Sequence, residues 1–224
     1  MDAVPAGIRA YVERHVGGAS APRLVRLVQR GEMWQRPDAR PMPFTATHEL
    51  HVNELAFRWR ARFPVAPLVA LRVLDAYERG AGRLEARVLG VPVMRQRGPD
   101  VDRGEAIRYL AELAWGPHAM VENAALAWRE LDARTYEVST EAGGRRVAVR
   151  LELDEAGDLV RSFCPERPAV EGGQVVERPW EGLNLAYGEL AGIRMPVRAE
   201  VRWLLPEGPF PYWRGEVLSA ELVP

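Results

Sequence analysis

The sequence predicts an α+β fold that is mostly β: a single strongly curved antiparallel sheet, a half-barrel of about ten strands, wrapped around one central helix, with a short helix ahead of it. Three observations lead there. Several stretches alternate apolar and charged residues with a period of two, and one internal segment is apolar around most of a helical circumference. About ten strands in one flat layer would also leave an oily face that a single helix cannot cover, and long open sheets tend to curl. In residues 55–63 the apolar row is Leu55, Phe57, Trp59, Ala61 and Phe63, against Arg58, Arg60 and Arg62. Residues 197–205 repeat the pattern, with Val197, Ala199, Val201, Trp203 and Leu205 against Arg198, Glu200 and Arg202. Successive side chains in a strand point to opposite faces, so such segments belong to a sheet with one dry and one wet side.

Residues 5–16 read as a short helix stopped by Gly17-Gly18, with Ile8 and Val12 on one stripe and Tyr11 beside them. This divides the chain into an N-terminal helical arm over 1–20 and a single curved-sheet domain over 21–224. Residues 24–34 fit either a helix or a strand. A strand is preferred, because 36–43 then supplies a proline-punctuated loop before a strand at 44–52. Strands follow at 55–63, 69–77 and 83–91, with Gly80-Ala81-Gly82 as the turn between the last two. Later runs lie at 127–131, 135–140, 145–153, 159–164, 185–190, 197–205 and 213–222, with a hairpin at Gly143-Gly144. The Pro- and Gly-rich stretch 165–180 reads as an exposed loop, with a lid over the open edge as the alternative.

The internal helix is expected over 102–115. Asp102 with Glu105 three residues later makes a capping-box pattern, and Gly116-Pro117 supplies the stop. Ala106, Ile107, Leu110, Ala111, Leu113, Ala114 and Trp115 cover more than half of its circumference, leaving Glu105, Arg108 and Glu112 as a narrow polar stripe. A helix lying outside a sheet needs an apolar face of about 100° or somewhat more, so this one is contacted on more than one side.

Composition excludes more than it assigns. The formal net charge of −1 disfavours a nucleic-acid partner. All 30 basic residues are arginine, so a phosphate-cradling P-loop, a protein-kinase site and Schiff-base chemistry each lack their lysine. Cys164 is the single cysteine, which rules out an internal disulfide and any CxxC site. Residues 1–16 carry Asp2, Arg9, Glu13, Arg14 and His15 and build no secretion signal, and no stretch reaches the roughly 18 apolar residues of a transmembrane helix. The expectation is a soluble cytoplasmic protein without metal or cofactor.

Several pieces together resemble an uncharacterised bacterial family, a domain of unknown function. They are residues 57–62 (FRWRAR), 75–82 (DAYERGAG), 108–117 (RYLAELAWGP), Pro179-Trp180 and 192–196 (GIRMP). The family's strand, helix, strand order is similar to the lipoprotein carrier and receptor fold, LolA/LolB-like, in which a curved sheet wraps helices and encloses a greasy cavity. The resemblance implies that fold and a hint of lipid binding, and nothing about catalysis. Those carriers work outside the cytoplasmic membrane, whereas this sequence shows neither a secretion signal nor a lipidation cysteine near its start.

Candidate site residues follow from the faces on which they fall. Arg108 and Glu112 are four apart on one helix face, with Glu105 a turn earlier; if the stripe faces a cavity, Arg108 can anchor an acidic head group. The default for such a spacing is a solvent-facing ion-pair ladder. Asp75 and Tyr77 share the parity of Val69, Leu71 and Val73, which carries a carboxylate and a phenol toward the dry side unless the strand has already reached solvent. His48 and His51 point to opposite faces, so they make no metal site. His118 is a lone acid or base candidate or a structural helix-end histidine. Trp59, Trp115, Trp128 and Trp203 fall on apolar faces, either as packed core or as the wall of a pocket. None of the four serines sits in a GxSxG elbow, and Cys164 reads as a buried inert thiol.

Three functions remain open. The first is a binding module holding a lipid-like hydrophobic or amphipathic molecule against Arg108, Glu112, Trp115, Asp75, Tyr77, Trp59 and His118. The second is an enzyme of unrecognised type using Asp75, Glu112 and His118 in the same cavity. The third is a packed scaffold acting through its arginine-bearing outer face.

Overall fold

The structure is a computed structural model, and it describes residues 4–224. After helix α1 (Ala6–Val16) the chain lays down a meander of strands: β1 (Leu24–Met33), β2 (Met42–His51), β3 (Phe57–Ala66), β4 (Val69–Glu78), β5 (Ala81–Val88) and β6 (Val91–Gln96). It then runs through α2 (Pro99–Ala111), a 3-10 turn at Leu113–Trp115 and the short α3 (Ala119–Glu122). A second meander follows: β7 (Ala127–Asp132), β8 (Thr135–Ala142), β9 (Arg145–Leu153), β10 (Leu159–Glu171), β11 (Gln174–Leu190), β12 (Ile193–Leu205) and β13 (Gly208–Val223). All strands join one sheet of 13, in the order β6-β5-β4-β3-β2-β1-β13-β12-β11-β10-β9-β8-β7. Every pairing is antiparallel, and the two meanders meet where β1 pairs with β13.

The helical segment leaves the sheet at one edge strand, β6, and re-enters at the other, β7. Flat, a sheet of this size would be about 58 Å wide at ~4.8 Å per strand. Yet α2 touches β4 and β5 from one meander and β8, β9 and β10 from the other. A cylinder about 10 Å across reaches both groups when the sheet is rolled into a half-barrel. The alternating rows explain the direction of the roll: Phe57, Trp59, Ala61 and Phe63 are buried while Arg60 and Arg62 are exposed. Arginine ladders line the outer face, among them Arg30 to Glu216 at 2.8 Å and Arg60 to Glu49 at 3.2 Å.

Three expectations need correction. The sheet has 13 strands rather than about ten, in part because the run predicted at 83–91 is broken at Leu89-Gly90, where φ is 50° and 84°. Two successive positive φ values make a tight hairpin that creates β6, and Leu89 gives no turn signal of its own. The predicted loop or lid at 165–180 is instead the continuation of β10 and β11, 13 and 17 residues long, around a tip at Gly172-Gly173. Finally, α2 starts at Pro99 rather than at an Asp102 capping box. Proline is pre-organised for a first helical turn, and Asp102 turns its carboxylate outward to accept the Gly82 amide at 2.7 Å. Near the other end, the Glu112 amide donates to the Arg108 and Tyr109 carbonyls, and the chain tightens into the 3-10 turn.

The expected N-terminal arm is docked into the common core. Helix α1 buries Ile8, Tyr11, Val12, His15 and Val16, with the His15 ring stacked 3.8 Å from Tyr11 and its Nε2 3.0 Å from Asp158 Oδ1.

The Gly82 contact yields a test of helix docking. A Cβ on Gly82 would lie 2.8 Å from the Val101 carbonyl oxygen and 3.1 Å from the Asp102 Cα, both backbone atoms that cannot swing away. Gly82→Ala is expected to lower stability by about 1–3 kcal/mol, measured as a shift of the urea midpoint without change in slope.

Candidate functional site

Between α2 and the concave sheet lies a cavity of about 620 Å³, inside the ~300–1,000 Å³ usual for small-molecule pockets. Its wall is mainly apolar, built by Phe63, Leu71, Val73, Trp203, Trp213 and their neighbours. Four of its lining residues, Gln35, Val93, Met94 and Val170, are also solvent-exposed, which puts the mouth beside β6, the β1–β2 connection and the far end of the β10–β11 hairpin.

The wall carries a compact polar group where α2 meets it. Arg108 donates from Nη1 to Asp75 Oδ2 at 2.5 Å and from Nε to Glu112 Oε1 at 2.9 Å. Its guanidinium carbon lies 4.8 Å over the Phe57 ring and 5.3 Å over Trp59. Burial alone would weaken its charge, but the Glu112 and Asp75 carboxylates outweigh that and raise its pKa further. Glu112 is pushed up by burial against the opposing pull of Arg108, and its second oxygen sits 3.4 Å from Nε2 of the buried His48. Burial, together with the Arg108 charge, holds His48 well below the usual imidazole range, so it is neutral. Glu105 is pushed well above the usual carboxyl range by burial and the Asp75 charge, and its Oε2 has no partner.

A second arginine enters from β10. Arg167 is 9% exposed, donates to the Tyr212 hydroxyl and to the Gly104 carbonyl, and lies 4.5 Å over Trp180 and 5.6 Å over Trp203. A bulge puts it there. Cys164 faces Trp180 and Arg167 faces Arg178, so Pro165 and Glu166 together oppose the single Pro179. An extra residue in one strand reverses the parity of all that follow. Without the bulge Arg167 would share the outer row of Arg161 and Phe163.

Of the residues singled out from sequence, Arg108, Glu112, Asp75, Trp59 and Trp115 all line this cavity. The stripe of Glu105, Arg108 and Glu112, for which a surface ladder is the default, faces inward. Tyr77 and His118 do not line it. Tyr77 continues the inward row of Leu71, Val73 and Asp75 but is packed in the core, facing Gly82 across the pair, where burial and the Asp102 charge raise its pKa. His118 is buried at the start of α3 with Nε2 3.0 Å from the Ala19 carbonyl, so it plays no part in cavity chemistry. Sequence reasoning missed Arg167, Trp180, Tyr212 and His48. His48 was detectable from its place in the inward row of β2, whereas Arg167 gave no such signal. Cys164 is buried, and burial raises its thiol pKa. No helix among the described residues is long and apolar enough to cross a membrane.

A family model, described as a family of unknown function (DUF6544), matches residues 1–215. The chain belongs to this family. No curated protein matches it. Among solved structures it is similar to a DUF1329 family protein from Desulfovibrio piger, with 10% identity, a TM-score of 0.50, and 99% of this chain and 94% of that one covered. It is also similar to a domain from Vibrio parahaemolyticus described as an outer membrane lipoprotein-sorting protein, with 9% identity, a TM-score of 0.50, and 96% and 90% covered. A LolA superfamily protein from Nitrosomonas europaea aligns over 100% of this chain and 95% of its own at 9% identity and a TM-score of 0.49. At these identities the two matches with a TM-score of 0.50 show the fold alone, one curved antiparallel sheet.

Two outcomes are expected of the polar group. Arg108→Met leaves Asp75 and Glu112 buried without their cation, so stability near pH 7 falls by about 3–5 kcal/mol. The loss narrows in acid as Glu112, already pushed up by burial, protonates, which urea titrations at about pH 7 and in acid read directly. For Glu105 the folded pKa is raised, so its contribution is fully present below the unfolded value, near 4.5, and is lost as pH rises through the folded one. Glu105→Gln cannot ionise, so its stability relative to the parent should grow as pH rises above the unfolded value, near 4.5. A parallel pair of pH–stability curves would contradict this.

Proposed function

We propose that this protein binds a hydrophobic or amphipathic small molecule, lipid-like in character, in the concavity of its sheet. The observation that carries the reading is the cavity itself: about 620 Å³, mainly apolar, with charged groups gathered at α2 and a mouth marked by exposed Val93, Met94 and Val170. A packed scaffold would fill this volume, since protein interiors leave few voids larger than a water molecule. The lipoprotein-sorting description of one structural neighbour agrees with the reading but does not carry it, because shared fold does not transmit function.

A second reading, acid–base chemistry on the same molecule, is favoured by one observation. Glu105, its carboxyl pushed well above the usual range by burial and the Asp75 charge, presents an unpartnered oxygen beside the cavity, the arrangement of a general acid. His118, one of the acid or base candidates from sequence, lies elsewhere.

Native mass spectrometry of the full chain separates these readings. An amphiphile should co-purify, and Ala111→Trp, which projects a large ring from α2 into the cavity, should abolish the bound mass while leaving the protein folded. Recovery of the amphiphile unaltered after long incubation supports binding, and a changed mass supports chemistry. If neither a bound mass nor uptake of an apolar dye is found, the binding reading fails.

A further inference from the structure

Two arginines face the cavity, Arg108 partly buried and Arg167 buried, and their surroundings differ in one respect. Arg108 has two carboxylates. Arg167 has none in contact: Nη1 donates to the Tyr212 hydroxyl at 3.1 Å, Nη2 to the Gly104 carbonyl at 3.3 Å, and the Nε–H has no acceptor. Glu105 on α2 attracts Arg167 only through space: the two form no hydrogen bond or ion pair, and burial works against the Glu105 charge. A buried cation with an unused N–H is costly unless an anion completes it.

The guanidinium is nonetheless held firmly. It lies against Trp180 and Trp203, and Tyr212 is itself fixed by accepting from Trp180 Nε1 at 3.0 Å and by stacking on Trp203. A rigid, desolvated cation with one free edge, lining an apolar cavity, is a receptor for an anionic group.

We propose that the ligand carries a single carboxylate, seated on the Nε edge of Arg167 against the Trp180 and Trp203 rings, with its apolar body running along the wall toward Val93, Met94 and Val170. This rests on the cavity-binding reading and names its ligand class, a long-chain carboxylic acid. The choice of a monoanion follows from the surroundings. Asp75 and Glu112 stand close by on the same floor, so a dianionic phosphate would meet like charges and would need donors beyond one free edge. Arg108, the head-group contact suggested by sequence, is already neutralised.

The test uses the full chain stripped of lipid, titrated below micellar concentrations with dodecanoate, dodecanol and dodecyl phosphate, and followed by tryptophan fluorescence. Dodecanoate is expected to bind at least ~10-fold more tightly than dodecanol, and Arg167→Gln should erase that preference, since a charge-assisted hydrogen bond contributes about that factor or more. Dodecanol affinity should stay within about 2-fold in the variant, which also shows that the variant folds. Tyr212→Phe, which removes one anchor of the guanidinium, should reduce the preference about 3-fold. Equal dodecanoate binding by parent and Arg167→Gln overturns the assignment, as does tighter, Arg167-dependent binding of dodecyl phosphate. Should Arg167→Gln lose dodecanol as well, an unchanged preference in Tyr212→Phe overturns it instead. Failure of all three probes to bind the parent defeats the cavity reading itself, an outcome distinct from dodecanol binding as well as dodecanoate.

Discussion

Because α2 touches β4 and β5 on one side and β8, β9 and β10 on the other, the 13 strands cannot spread into a plane. The grip is made of specific bonds as well as oily contact. Asp102 accepts the Gly82 amide from β5, while Ser162 of β10 donates to the Ala111 carbonyl at 3.0 Å. Buried Ala106, Ile107, Leu110 and Leu113 supply the apolar share, each large side chain contributing roughly 1.5–3 kcal/mol. The cavity is a by-product of this geometry. A sheet rolled around one slender helix, and occupied by it along part of its length, leaves the rest of the concavity to be filled by side chains or by a guest.

Charge in that concavity is arranged around arginine, the one basic residue type the chain contains besides histidine. A guanidinium tolerates burial better than an ammonium because it is weakly hydrated, stays charged, and can lie flat on aromatic rings. Both arginines of the cavity wall use the last of these: Arg108 lies over Phe57 and Trp59, and Arg167 lies over Trp180 and Trp203. They differ in compensation, and that difference separates a structural ion pair from a group poised to meet a ligand. Burial and the Asp75 charge push the Glu105 carboxyl upward, which weakens the compensation it could give Arg167.

Local backbone irregularities decide which side chains reach the cavity. The Pro165-Glu166 bulge moves Arg167 from the wet row to the dry one, and the Leu89-Gly90 hairpin adds the strand whose Val93 and Met94 mark the mouth. Each is a change of one or two residues in the chain path, and each alters the composition of the site more than any single substitution in the regular strands would.

The curved antiparallel sheet and the inward rows of β3 and β4 were legible in the sequence, because side-chain alternation is a short-range consequence of backbone geometry. By the same logic Trp59 and Trp115 could be placed on apolar faces, and Asp75 on the row of Leu71 and Val73. Tyr77 shared their parity, but parity says nothing of how far along a strand the cavity extends, and His118 had no periodic element to orient it. The tertiary structure alone decided that the polar stripe of α2 faces inward, that a void remains, and that Arg167 joins it. Those outcomes depend on pairing register across a bulge and on packing between segments far apart in the chain. No local pattern encodes which residue will oppose Pro179.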